Sequence, residues 1–190
     1  MTKFTLAAAS FLFIAVNAKA QDDAPYPGGL AEAVIQIETL DAMRSGLAGT
    51  FGEKGVPADE STFAQVCKPV GMKAKQISES NGWVVKQMAE KYRNPSHKLD
   101  AGGEEAYRIM EQDPDVMGIW TKTEMDGKPG VRYFRRIVVE EACLACHGEK
   151  DSRPEFIKEK YPEDKAYGFK VGDLRGIYSV FIPEQVQAGN

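Results

Sequence analysis

Two cysteines and a histidine stand in the run Cys143-Leu144-Ala145-Cys146-His147, the C-x-x-C-H spacing of covalent c-type haem attachment. The spacing has a mechanical reason. Residues three and four apart share one face of a helical turn, so both thiols and the imidazole can converge on one planar macrocycle. The sulfurs would form thioethers with its vinyl groups, and His147 would be carried to the iron. The implied cofactor is one covalent haem c. The same residues admit other chemistry. A thioredoxin-like dithiol also uses C-x-x-C, but it belongs near a βαβ pattern, which does not surround these residues. Cys67, Cys143, Cys146 and one of the two histidines would make a Cys₃His zinc site, and Cys143 with Cys146 would make a plain disulfide. A haem-free, zinc- or disulfide-stabilised binding module is thus the alternative reading.

The other face of the iron needs a candidate as well. Cys67 lies on the apolar stripe of a helix beside Phe63 and Val70, where a free cysteine is commonly a small buried hydrophobe. As a ligand it would lower the potential, whereas a methionine would raise it. Met72, Met88, Met110, Met117 and His97 are the other candidates, and an open position is a further one. His97 follows Asn94-Pro95 in a polar stretch and reads first as a solvated loop residue. Arg132, Arg135 and Arg136 precede the attachment motif. On a strand Arg135 and Arg136 point to opposite faces, and at least one is expected to reach a haem propionate. Tyr133 and Phe134 are core residues that could also line the macrocycle.

These side chains need elements to position them. Leu30, Val34, Ile37, Leu40, Met43 and Leu47 recur at helical steps, which predicts a first helix broken by Gly52, Gly55 and Pro57. A second helix is expected from about Glu60, with Phe63, Val66, Cys67, Val70, Ala74 and Ile77 on one face. Pro69 inside it should kink the helix or move its start towards Cys67. The stretch 82–92 has mixed character. Residues 103–112 suit a short helix stopping before Pro114. Then the chain changes: 116–123, 131–140 and 174–182 are rich in β-branched and aromatic residues, and Asp126-Gly127 and Pro129-Gly130 signal a hairpin. Helices first and strands later predict an α+β fold, an antiparallel sheet with the helices against one face.

The chain of 190 residues, 43% hydrophobic and 27% charged, is of a size and composition for one compact domain, expected over 30–190. Residues 1–20 read as a signal peptide: Lys3, an apolar run from Phe4 to Val16, and Ala18-Lys19-Ala20 before a cleavage point at Gln21. That run is short for a bilayer of about 30 Å, so a soluble periplasmic protein is expected rather than an anchored one. Residues 21–29, with two prolines and a Gly-Gly pair, form a flexible lead-in. The formal charge of −4 becomes more negative when the leader takes Lys3 and Lys19 with it. Such a surface argues against binding nucleic acid through phosphates and favours a basic or neutral partner.

The runs Phe63-Ala-Gln-Val-Cys67-Lys, Tyr92-Arg-Asn-Pro95, Tyr133-Phe-Arg, Glu141-Ala-Cys-Leu-Ala-Cys-His-Gly148 and Gly168-Phe-Lys-Val-Gly-Asp-Leu-Arg-Gly176 together resemble a family of bacterial single-haem c-type proteins. Members occur as secreted stand-alone proteins or ahead of histidine kinases. The resemblance implies a PAS-like haem-sensor domain with His147 and Cys67 as iron ligands. It also implies electron transfer or redox or small-ligand sensing. With no kinase after Ile182, a separate redox or signalling protein is the expected partner. An enzyme is not expected. A small peroxidase would need a distal acid–base residue, for which His97 is the one spare histidine, and no phosphate-cradling loop or nucleophile triad is present.

Overall fold

The structure, a computed structural model, describes residues 28–54 and 57–184. The expected signal peptide and nearly all of the lead-in lie outside them. Helix α1 (Leu30–Lys54) buries Leu30, Ala33, Ile37 and Leu40. It runs past Gly52 rather than stopping there; one helical glycine costs only about 1 kcal/mol against alanine, less than the packed face supplies. Helix α2 (Glu60–Asn81) opens where the Asp59 side chain accepts a hydrogen bond from the Thr62 N–H, and it closes at Gly82, which adopts φ 68°. Pro69 sits inside α2 without ending it or delaying its start. Asp59 satisfies the first turn, so the proline removes a hydrogen bond only in mid-helix.

The mixed stretch resolves as strand β1 (Val84–Met88), whose pairing to a distant strand is invisible locally. Helix α3 (Ala101–Gln112) is capped by Asp100. Strands β2 (Gly118–Met125) and β3 (Lys128–Val138) meet through Asp126 and Gly127, at φ 52° and 73°, the two positive values of a type I′ turn. With β4 (Leu174–Pro183) they complete an antiparallel sheet of order β1-β4-β3-β2. The fold is α+β, as the order of elements predicts. The helices, however, occupy both faces. Val131, Tyr133, Ile137, Tyr178, Val180 and Ile182 pack under α1 and α2, whereas Phe134 and Ile177 pack with Ala106, Tyr107 and Met110 of α3.

Arginines fasten both layers, although the sequence points at least one of them towards a cofactor. Arg135 is 8% exposed and is held by Glu38 at 2.9 Å and Asp41 at 2.6 Å, both on α1. Arg136, 4% exposed on the opposite face, donates to the carbonyls of Met110, Asp113 and Val116 at the end of α3. Arg132 pairs with Asp100 at 2.8 Å and donates to Ser179. A buried guanidinium needs acceptors on the spot, and the neighbouring helices supply them. No helix of the described residues is long and apolar enough to cross a membrane.

Candidate functional site

Between β3 and β4 the chain makes a 3-10 turn (Glu141–Cys143) that runs directly into helix α4 (Leu144–His147). The turn is fixed from both sides. The Glu140 carboxylate accepts from Arg44 Nη2 at 2.9 Å and Ser45 Oγ at 2.8 Å on α1. Hydrogen bond and charge from Asp41, helped by Glu140, outweigh the burial that would lower the Arg44 pKa, and raise it instead. Below, Cys143 and Leu144 pack on Val139, Ala166 and Phe169, and the N–H groups of Gly168 and Phe169 donate to the carbonyls of Gly148 and His147. Gly148 has no room for a side chain, since a Cβ would stand 2.7 Å from the Leu144 oxygen.

His147 Nδ1 lies 2.7 Å from the Ala166 carbonyl. A carbonyl only accepts, so Nδ1 carries the proton and Nε2 keeps its lone pair for an electrophile, the arrangement that outer-shell partners impose on ligating histidines. Arg93 Nη2 donates to the Cys146 carbonyl at 2.7 Å and stands 3.3 Å from Nδ1. Asp164, almost wholly buried, joins these parts: it pairs with Arg93 at 3.5 Å and with Arg153, and accepts from the Ala166 N–H. Burial, then the charges of Arg175 and Arg93, hold the imidazole pKa well below its ordinary value against the Ala166 hydrogen bond. The ring is therefore neutral, as a ligand must be.

The turn forms one wall of a cavity of about 580 Å³, within the size range of cofactor sites. Cys143, Cys146 and His147 line it. Across it stands α2 with Phe63, Cys67 and Val70, and the end of the sheet supplies Met88, Ala89, Ile137 and Gly176. At Gly176 a Cβ would meet the Met88 carbonyl at 2.5 Å, so this corner of the cavity stays smooth. Cys67 is not a covered core residue. Its surface is exposed, but towards this cavity and a smaller neighbouring one. The surrounding protein still desolvates it, and burial, reinforced by Cys146, pushes the free thiol up to about 11.

The structure thus brings Cys67, Cys143, Cys146 and His147 to one space, with Met88 and His97 also on its lining. His97 belongs to the cavity rather than to solvent alone; burial and the Arg175 charge lower its pKa. Met88 is committed elsewhere, with Sδ 3.3 Å from Arg132 Nη2. Met110 is buried in the core on the inner face of α3, Met117 is exposed, and Met72 opens on the neighbouring cavity. Arg132, Arg135 and Arg136 are absent from the lining; its arginines are Arg44, Arg93 and Arg175. Sequence reasoning missed these, and Asp164, because the chain positions that meet here are far apart. Their only trace was that Arg93 and Arg175 sit inside the runs Tyr92-Arg-Asn-Pro95 and Leu174-Arg-Gly176. All three cysteines are free thiols, and among the described residues no three His, Cys, Asp or Glu side chains come close enough to hold one metal ion. That geometry fits a broad planar group with donors on two walls better than a zinc ion.

The family model described as Tll0287-like matches residues 28–183. A solved structure, described as the crystal structure of the cyanobacterial heme-protein Tll0287, is similar to this chain with a TM-score of 0.74 and 49% identity. It covers 86% of this chain and 100% of its own. No curated protein matches.

Proposed function

Because the chain belongs to the Tll0287-like family, we propose that it is a periplasmic c-type haem protein of electron transfer or redox and small-ligand sensing. It would carry one haem on Cys143 and Cys146. The observation that carries the reading is the placement of four donors on two walls of one cavity: Cys143, Cys146 and His147 on the attachment turn and Cys67 on α2. The haem-protein similarity supports it. Bound there, the haem would supply a one-electron iron couple. The protein's part is to anchor and tune. The two cysteines fix the ring, His147 offers Nε2 while the Ala166 carbonyl holds its orientation and Arg93 ties down the Cys146 carbonyl, and Cys67 faces it from α2. A thiolate at Cys67 would favour ferric iron and a low potential. The acidic chain suits a basic or neutral redox or signalling protein as partner. We place the protein among carriers and sensors rather than enzymes.

Two measurements test this. Mass spectrometry of protein from a host competent in haem attachment should show one added porphyrin; a chain without that mass ends the reading. Absorption spectra of the parent, Cys67→Ala and Cys67→Met should then differ in both oxidation states, with the midpoint potential higher in Cys67→Met. A second reading, peroxide chemistry, has one observation behind it, His97 on the cavity lining. Peroxide turnover by the parent that Cys67→Ala does not increase would favour it.

A further inference from the structure

One cation on the cavity wall has no anion. Arg175 Nη1 donates to the Lys91 carbonyl at 3.1 Å, its Nε lies 3.5 Å from His147 Nε2, and its guanidinium stands 5.4 Å from the centre of the Phe169 ring. Among the described residues no carboxylate comes within 4.0 Å of it. The other cations of the site are matched: Arg44 has Asp41 and Glu140, and Arg93 and Arg153 share Asp164. A half-buried guanidinium set against one carbonyl, an imidazole nitrogen and a ring face has donors to spare, and its planar fork is shaped to take a carboxylate through two parallel N–H bonds.

We propose that Arg175 is the counter-ion of a haem propionate, the carboxylate its fork lacks in the protein alone. The inference rests on the haem reading above. It replaces Arg135 and Arg136, whose donors are already taken by Glu38, Asp41 and backbone carbonyls, with a residue that has donors to spare. It also gives Arg175 a reason to lie beside Nε2. The guanidinium occupies the electron-rich space in front of that lone pair, and it must give way to any electrophile bound there. Its stem lines the same cavity.

Resonance Raman spectra of the haem-loaded parent, Arg175→Gln and Arg175→Lys test the pairing through the propionate-bending band, which reads hydrogen bonding at the carboxylate and not protein stability. The expected result is a clear downward shift in Arg175→Gln. In Arg175→Lys a smaller one is expected, because an ammonium keeps the charge but not the fork. A band unmoved in Arg175→Gln overturns the proposal. Should that variant fail to accumulate, a band unmoved in Arg175→Lys does the same. Failure of the underlying reading is visible separately, as a parent chain without porphyrin mass.

Discussion

Arg135 sits between Glu38 and Asp41 with one-tenth of its side chain exposed, so removing it leaves Asp41 desolvated with only Arg44 to answer it. Breaking a buried pair from one side costs about 3 kcal/mol, and here half-exposed Glu38 recovers part of its solvation. Arg135→Met should therefore lower unfolding stability by about 2–3 kcal/mol in urea titrations while leaving the haem spectrum of the loaded protein as it was. An altered Soret band with unchanged stability would mean that the side chain touches the cofactor after all. The comparison shows what a residue type alone conveys. An arginine beside a haem motif suggests a propionate, but what decides is which acids lie opposite it. Those acids, Glu38 and Asp41, are on a helix nearly a hundred positions earlier. Cys143, Cys146 and His147 were legible because their partner geometry is contained in one turn. That Cys67 faces the same space as the attachment turn was suggested only through resemblance, since nothing in its own helical period separates a cavity face from a core face.

Helix α3 shows a cap and an ion pair resting on one carboxylate. Asp100 accepts from the Gly103 N–H at 2.9 Å and from both terminal nitrogens of Arg132. Burial would raise its pKa, but the hydrogen bonds from Arg132 and the Gly103 N–H outweigh it and hold the carboxyl below its ordinary value. A depressed folded pKa gives stability that is complete above the unfolded value of about 3.9 and is lost as pH falls through the folded one. Asp100 should therefore contribute to acid unfolding below about pH 4. Asp100→Asn keeps a capping side chain and loses the charge, at a cost of about 1–2 kcal/mol at neutral pH given the half-exposed carboxylate; Asp100→Ala adds about 1 kcal/mol for the lost cap. The melting temperature of Asp100→Asn should converge on that of the parent as pH drops below 4, and a gap that stays constant to pH 3 would contradict this. Elements whose determinants are local, such as the stripe of α1 and the Asp126-Gly127 hairpin, could be read from sequence. The occupation of both sheet faces could not. Arg132 and Arg136 on β3 look like a solvated face, yet they lie under α3, and only the paired helix reveals it.

At the scale of the molecule the cavity divides α2 into two unequal parts. Its later half, through Ala74 and Ile77, belongs to the core shared with α1 and the sheet. Its earlier half, around Phe63 and Cys67, has the cavity on one side and a smaller one on another, with Phe63 against Phe156 of helix α5 (Glu155–Lys160) as a neighbouring aromatic contact. A segment with few buried neighbours opens locally at small cost, and a ligand that fills the space beside it suppresses that opening. Haem would therefore act on stability unevenly. In Cys143→Ser/Cys146→Ser protein, which cannot retain the group covalently, amide exchange should accelerate over residues 60–71 and the attachment turn. Residues 74–81, β3 and β4 should keep most of their protection, because their packing does not use the cavity. Hydrogen exchange followed by mass spectrometry on the parent and the double variant distinguishes the outcomes. Equal loss across the sheet would show that haem holds the whole fold rather than the wall that carries Cys67. Protection unchanged at 60–71 would show that this half of α2 owes nothing to the group across the cavity.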